Sequence, residues 1–287
     1  MTENNILLIG GDLRQLHAGN ELIKQGCKIY HYALDTYKES CELSLALKNA
    51  DAILLPVPVF RGDYMNFPLS SVKLSPRILA SEIAKNAKPN TVVFGGKFPA
   101  DMTAIFDKNG IRYHDLCENE TFNYLNAVPT AEGAIALAMG NTPVTLDGSN
   151  CLVLGYGRIG KALSRRLKAL GASVTVAARK EKDRAEADSE GMTSLDYPSL
   201  PSVMEDLDAV FNTVPITVLN EEMLSKLRDG VPVIELASKP GGIDPVGAIR
   251  YGTRVISAQS LPGRVAPVTA GKIIARCMID KMSGGGI

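Results

Sequence analysis

A glycine pattern set between a strand and a helix constrains the fold of this chain more than any other feature. The apolar run "NCLVLG" (150–155) leads into a helical segment, and glycines recur around the turn between them. In such a turn the first glycine allows a tight bend, the second lets the backbone approach a pyrophosphate, and the third lets the helix pack against the strand. The helix N-terminus then meets the phosphates with N–H groups and the positive end of its dipole. The pattern predicts a dinucleotide-binding βαβ unit with the fingerprint residues Gly155, Gly157, Arg158, Ile159 and Gly160.

The end of the next strand indicates which dinucleotide binds. An acidic residue commonly stands there, where it hydrogen-bonds the adenosine ribose 2′-hydroxyl. This chain has Arg179 and Lys180 instead. A guanidinium binds a phosphate through a two-pronged fork and stacks on adenine, so we predict NADP rather than NAD; the alternative is a pair of solvated charges. We also predict cofactor contacts from the loop after a third strand, at Thr213, Val214 and Pro215.

The same order of strands and helices occurs twice along the chain. Gly10 precedes Gly26 by the interval that separates Gly155 from Gly171, and "DAILLPVP" matches "DAVFNTVP" at both ends. Short β-branched runs alternating with helical segments are typical of parallel sheets covered on both faces. We therefore predict an α/β protein with two doubly wound, Rossmann-like domains.

The first copy lacks the dinucleotide fingerprint. At the offsets of the second and third glycines it has Asp12 and Gln15, and a carboxylate there would repel a pyrophosphate. We predict that residues 1–126 form a substrate-binding and catalytic domain and that residues 127–287 form the NADP-binding domain. We expect the connection to contain a helix starting at Thr130, and a final helix (269–282) to return to the first domain.

Composition excludes several classes of protein. The 287 residues include 31 Lys plus Arg and 31 Asp plus Glu, so the zero formal charge gives no reason to expect nucleic acid or an anionic membrane as a partner. No apolar run has the length of a membrane span, and the N-terminal segment lacks the basic region of a secretion signal, so we expect a cytoplasmic protein. The five cysteines form no CxxC pair, so we predict neither disulfides nor a metal site.

The loops at the carboxyl ends of the strands are rich in cations, and open α/β sheets bind ligands at these ends. A cluster of cations suits a substrate that carries carboxylates. The cations are Arg14, Arg61, Lys97, Lys239 and Arg264. A 2-hydroxy-acid dehydrogenase shares this two-domain plan but needs a histidine base, normally after the fingerprint, whereas all three histidines precede it.

Taken together, the motifs resemble one family over nearly the whole chain. The stretches "IGGDLRQ", "NAVPTAEGAIALAM", "VLGYGRIGKAL", "ELASKPGGID" and "LPGRVAPVTAG" are similar to those of the A subunit of dipicolinate synthase from spore-forming bacteria. The resemblance implies NADP-dependent oxidation of dihydrodipicolinate, or of its 4-hydroxy-tetrahydro precursor, to dipicolinate. It also implies that the partner is a flavoprotein-like B subunit, and that the protein acts in the mother-cell cytoplasm during sporulation.

On this hypothesis a ring dicarboxylate is held by cations and loses one proton to a carboxylate or to a water it orients. We predict catalytic roles for Glu132, Thr130 and Lys97, and substrate contacts from Asp12, Arg14, Arg61, Asn126 and Arg264, the last in a loop at 261–267. Glu132 could instead serve the start of the helix near Thr130. Two alternative functions remain: a non-catalytic, NADP-binding regulatory role, and a dehydrogenase of the 2-hydroxy-acid type with another substrate. Self-association into a homo-oligomer is compatible with the sequence.

Overall fold

The computed structural model describes residues 4–35 and 41–283, which divide into two compact units. The first unit comprises Met1–Asn126 and Ala266–Ile287, and the second comprises Ala127–Val265. The C-terminal segment belongs to the first unit by its contacts, although in sequence it follows the second.

The first unit is built on a parallel sheet. Its strands are β1 (Asn5–Ile9), β2 (Lys28–Tyr32), β3 (Ala52–Leu54), β6 (Val92–Gly95) and β7 (Arg112–Asp115), with a separate antiparallel pair β4 (Phe60–Arg61) and β5 (Tyr64–Met65). Its helices are α1 (Leu13–Lys24), α2 (Leu43–Asn49), α3 (Pro76–Asn86) and α4 (Ala100–Lys108). The sheet order is β2-β1-β3-β6-β7. Alternate residues of β1 pack in two different apolar clusters, as expected when helices cover both faces.

A long helix, α5 (Glu120–Met139), contains Pro129 in its interior. The prediction of a helix start at Thr130 was therefore wrong. Proline removes a backbone donor and crowds the preceding turn, but here the upstream turns are held by other contacts. The Asn119 side chain accepts a hydrogen bond from the Phe122 backbone N–H at 3.0 Å, and the Phe122 side chain is buried.

The second unit repeats the architecture with six parallel strands. They are β8 (Asn150–Leu154), β9 (Ser173–Ala177), β10 (Thr193–Leu195), β11 (Ala209–Asn212), β12 (Pro232–Glu235) and β13 (Arg254–Ser257), in the order β10-β9-β8-β11-β12-β13. The helices are α6 (Arg158–Ala169), α7 (Glu181–Ser189), α8 (Glu221–Ser225), α9 (Pro245–Arg250) and α10 (Leu261–Val265). The predicted α/β class with two Rossmann-like sheets is confirmed.

The segment predicted as a loop at 261–267 is helical. It forms α10, and α11 (Pro267–Ser283) begins after the single non-helical residue Ala266. Pro262 and Pro267 both lie in a first helical turn, where a missing backbone N–H costs no intrahelical bond. The prolines therefore start these helices rather than prevent them.

Within the first unit, α11 packs on α1 at a glycine. A Cβ built on Gly271 would lie 2.7 Å from the Arg14 carbonyl oxygen and 2.8 Å from the Ala18 nitrogen. These are backbone atoms of α1, which cannot move aside as a flexible side chain can. The two helices contribute Leu22 and Ile274 to one buried apolar cluster.

Among the residues that the structure describes, no helix combines the length and the apolar character needed to cross a bilayer.

We predict that Gly271→Ala lowers the free energy of unfolding by about 1–3 kcal/mol, the usual cost of overpacking, although alanine has the higher helix propensity. Urea denaturation followed by circular dichroism measures the change. Gly140→Ala is the matched control, because its Cβ would meet its nearest neighbour at an ordinary 3.5 Å. Equal stabilities for both variants would contradict the close helix contact.

Candidate functional site

The turn between β8 and α6 is tight at two of its glycines. Gly155 has a φ of +91°, and a Cβ there would lie 2.6 Å from the Thr213 Oγ1 atom. A Cβ on Gly160 would lie 2.1 Å from the carbonyl oxygen of Gly155. No side chain fits at either position, so the first turn of α6 packs directly on the backbone at the end of β8.

The middle glycine of the turn faces open space. Gly157 is exposed, and a Cβ there would have no neighbour within 4 Å. Gly157 is also the N-cap of α6, and it has no side chain with which to cap the helix. A helix's first turn leaves backbone N–H groups without intrahelical acceptors, so this end of α6 fits an anionic group. The turn thus fits the pyrophosphate of a dinucleotide, tight where it must bend and open where phosphate would approach.

A pocket of about 320 Å³ extends from this turn. It is lined by Gly155, Tyr156, Gly157, Ala178, Arg179, Lys180, Asp183, Tyr197, Thr213, Val214, Pro215 and Ile216. Most of the predicted cofactor residues are in this lining. Arg158 and Ile159 lie beside it in the first turn of α6, followed by Gly160.

The far end of the pocket, at Arg179, Lys180 and Asp183, contains charges of both signs. Arg179 and Lys180 are exposed at the end of β9, and Arg184 holds that strand end by donating to the carbonyl oxygens of Ala178 and Arg179 at 2.9 and 3.0 Å.

Sequence reasoning missed two residues at this end of the pocket, Asp183 and Tyr197. Burial raises the pKa of Tyr197; the nearby Arg179 guanidinium lowers that pKa, and the Asp183 carboxylate raises it. The tyrosine hydroxyl therefore lies within the electrostatic influence of both side chains. Asp183 could have been suspected from its place in the first turn of α7, but nothing local marks Tyr197.

In the first unit the equivalent turn is filled by side chains. The Asp12 carboxylate accepts the Arg14 backbone N–H at 2.9 Å and pairs with the Arg14 guanidinium at 2.8 Å. Arg14 is buried and also donates to the Val57 carbonyl oxygen at 2.5 Å. Gln15 is buried at the position of the third glycine and donates to the Leu55 carbonyl oxygen. The helix start is thus satisfied internally, by a carboxylate.

Lys97 lies at the same edge of the first unit's sheet, just after β6. It has a φ of +55°, a left-handed conformation that is uncommon for a residue with a side chain. Burial and the Asp115 carboxylate raise the pKa of Cys117 to about 11, whereas the charges of Lys97 and Arg14 act in the opposite direction. The structure therefore brings Asp12, Arg14 and Lys97 into one neighbourhood, beside Cys117.

The other predicted substrate residues are more dispersed. Arg61 is exposed on the β4–β5 pair and lines a separate cavity of about 330 Å³. Asn126 and Thr130 lie on α5, where Thr130 is buried. Arg264 is exposed on α10.

Glu132 does not serve a helix start, contrary to that alternative, because it lies well inside α5. Its carboxylate is exposed and lies 3.4 Å from the Arg166 Nε atom. The proposed role of Glu132 in proton transfer stays a prediction.

The second unit defines the class of the protein: a two-unit α/β protein with a nicotinamide dinucleotide-binding domain of the dehydrogenase type. Residues 130–238 match the family model described as D-isomer specific 2-hydroxyacid dehydrogenase, NAD binding domain. Residues 5–117 match the model that describes the N-terminal domain of the dipicolinate synthase A subunit.

Comparison with whole proteins identifies the family. The A subunit of dipicolinate synthase from Bacillus subtilis (strain 168) is 32% identical over 286 residues, covering 97% of this chain and 95% of the relative. The crystal structure of the Bacillus halodurans A subunit has a TM-score of 0.88 at 30% identity, covering 98% of each chain. That of the B. subtilis protein has a TM-score of 0.87 at 30% identity, covering 99% of this chain and 97% of that one. The chain belongs to the family of dipicolinate synthase A subunits, which confirms the resemblance seen in the sequence.

We predict that Gly157→Asp weakens NADPH binding at least about 10-fold while the free energy of unfolding changes by less than about 0.5 kcal/mol. The open space at this Cβ accepts a side chain, but a carboxylate there repels phosphate. Fluorescence titration measures the affinity. Gly157→Asn is the uncharged control of equal size and should bind more tightly than Gly157→Asp; normal binding by both variants would place the cofactor elsewhere.

Proposed function

We propose that this chain catalyses the NADP-dependent oxidation of dihydrodipicolinate, or of its 4-hydroxy-tetrahydro precursor, to dipicolinate. The observation that carries the proposal is the intact glycine turn with Arg179 and Lys180 beside it, in a chain similar over its whole length to proteins named as the A subunit of dipicolinate synthase. The proposal includes a flavoprotein-like B subunit, which would be the partner, and places the reaction in the mother-cell cytoplasm of a sporulating bacterium.

The charges at the far end of the pocket favour NADP. A 2′-phosphate there would meet the guanidinium of Arg179 and the ammonium of Lys180, which together outweigh the single carboxylate of Asp183. Arginine suits this task because its planar fork matches phosphate geometry. Asp183 in turn offers an acceptor for a ribose hydroxyl, so it would favour the cofactor without the phosphate.

We predict that Arg179→Ala weakens NADPH binding about 10- to 100-fold, since a hydrogen bond to a charged group is worth about 1.5–3 kcal/mol. NADH binding should change less than about threefold, because NADH lacks the phosphate. Titration of both cofactors measures the ratio. Asp183→Asn is the control that removes a negative charge instead of a positive one, and it should shift the preference further toward NADPH. An equal loss of both cofactors in Arg179→Ala would overturn the NADP assignment.

The proposed chemistry makes modest demands on the protein. Oxidation of dihydrodipicolinate removes a hydride from one ring carbon and a proton from the neighbouring atom, and the product gains aromaticity; the 4-hydroxy precursor would first lose water. Bound NADP supplies the hydride acceptor. The residues of this chain must hold two carboxylates, orient the ring and accept one proton. A histidine base is not essential to such a reaction.

Among the predicted cations near the Asp12 turn, Lys97 is the better placed to bind a substrate carboxylate. Its side chain is exposed, whereas the Arg14 guanidinium is buried against Asp12 and Val57. We therefore assign a substrate carboxylate to Lys97 and a supporting role to the Asp12–Arg14 pair. Glu132, or a water that it orients, remains our proposed proton acceptor, with Thr130, Asn126, Arg61 and Arg264 as further substrate contacts.

We predict that Lys97→Met lowers kcat/KM for the dicarboxylate at least about 10-fold and leaves NADPH affinity within about twofold, because Lys97 is in the first unit and the glycine turn is in the second. Steady-state kinetics with the B subunit present and NADPH titration measure the two effects. Lys108→Met, at an exposed position of α4 in the same unit, is the matched control. Unchanged turnover in Lys97→Met would remove Lys97 from the substrate site. Failure of the unmodified protein to turn over the dicarboxylate would favour a regulatory role.

A further inference from the structure

Two polar side chains join the carboxyl ends of neighbouring strands in the second unit. Asn212 ends β11 and Glu235 ends β12, and these residues are paired in the register of the parallel sheet. The Asn212 side chain is fully buried, and its Nδ2 atom donates to the Glu235 Oε1 atom at 2.8 Å. A buried amide and a carboxylate at this edge need a full set of partners, which the adjacent loops supply.

Asn212 binds the backbone of the loop that follows it. Its Oδ1 atom accepts the Val214 N–H at 3.2 Å, and its Nδ2 atom donates to the Val214 carbonyl oxygen at 3.0 Å. The amide therefore fixes both polar groups of one residue, as a neighbouring strand would. Val214 belongs to the segment Thr213–Ile216, which forms one wall of the cofactor pocket.

Glu235 connects that wall to the next loop. Besides Asn212, its carboxylate accepts the Ala237 backbone N–H at 2.9 Å and the Gly242 backbone N–H at 3.1 Å. Hydrogen bonds to an ionised acceptor are stronger than neutral ones. One carboxylate thus ties together the end of β12, the loop at 236–242 and, through Asn212, the pocket wall.

The wall has little freedom to move because its neighbours are in close contact. A Cβ on Gly242 would lie 2.3 Å from the Asn212 Nδ2 atom and 2.5 Å from the Val214 carbonyl oxygen. On the other side, the Thr213 hydroxyl donates to the Leu154 carbonyl oxygen at 2.7 Å, next to the glycine turn. A shift of Val214 would therefore change the width of the pocket beside Gly155.

We propose that Glu235 is a positioning residue for the cofactor: acting through Asn212, it holds the wall Thr213–Ile216 at the spacing from the glycine turn that a nicotinamide dinucleotide requires. The inference rests on the proposed function only in that the chain binds such a dinucleotide. The two cofactors share every part except the 2′-phosphate, and Glu235 is not among the residues that line the pocket. Loss of this support therefore weakens NADPH and NADH by the same factor.

The test is Glu235→Gln, which keeps the size of the side chain. Its amide keeps only one acceptor oxygen, so the NH₂ group faces either the Gly242 N–H or the donors of Asn212 and Ala237, and it cannot accept from them. We expect the Kd for NADPH and the Kd for NADH each to rise about 10-fold, with the KM for the cofactor rising likewise and kcat at saturating cofactor retained. Arg179→Ala differs, because it should affect NADPH selectively.

Asp208→Asn is the matched control for lost stability. The Asp208 carboxylate lies just before β11 and accepts the Asn150 backbone N–H at 2.8 Å and the Arg228 Nη2 donor at 2.9 Å. Its replacement also removes a carboxylate that joins two strands of the same sheet, but at the amino-terminal ends of the strands rather than at their carboxyl ends. All affinities are measured at a temperature where urea titration shows each variant to be folded. We expect normal cofactor affinity for Asp208→Asn.

Binding of both cofactors by Glu235→Gln within about twofold of the unmodified protein would overturn the inference, as would an equal loss in Asp208→Asn. If Glu235→Gln does not fold, Gly242→Ala decides the matter: it keeps both side chains but pushes against Asn212 and Val214, and it should weaken both cofactors alike. Normal binding by that variant would also overturn the inference. If the unmodified protein binds neither cofactor, the proposed function itself fails.

Discussion

The contact between Gly160 and the carbonyl oxygen of Gly155 is the constraint on which the second unit's site depends. A single added carbon would lie 2.1 Å from that oxygen, so α6 can start this close to β8 only where the side chain is absent. The start of the helix then lies at the edge where β9 and β11 also end, because these strands run parallel to β8 on its two sides. Arg179 and Thr213 meet in one pocket for this reason, although they are far apart in sequence.

The first unit shows the same architecture with that turn filled. Asp12 stands at the offset of Gly157 and caps α1, and Gln15 stands at the offset of Gly160 and bonds the backbone after β3. The Asp12 carboxylate accepts a backbone N–H group at the start of α1, as a bound phosphate would at the start of α6. The corresponding turn is thus occupied by side chains in the first unit and open at Gly157 in the second. Lys97 is then the exposed charge beside a neutralised pair rather than one member of a cationic cluster.

The sequence predicted the features that depend on local patterns. The glycine turn, the individual strands and the Arg179–Lys180 pair are each contained within a short segment, so residue order alone indicates them. Features that depend on tertiary packing were missed. The helix through Pro129 is held by the burial of Phe122 and the cap at Asn119. Tyr197 enters the pocket from a 3₁₀ turn after β10, with no periodic pattern to mark it.

Asn212 and Glu235 are predictable only in part. Each is a visible polar residue at the end of an otherwise apolar strand. Neighbouring strands of a parallel sheet place such terminal residues side by side, but their order in the sheet is not contained in either segment. Once paired, the two residues hydrogen-bond the loops that follow their strands. Loops at the carboxyl ends of strands bind ligands in open α/β sheets, and a loop without such bonds samples many conformations. A polar side chain at the last position of a buried strand can anchor the loop that follows, because it is fixed by the sheet yet reaches the first free peptide groups beyond it.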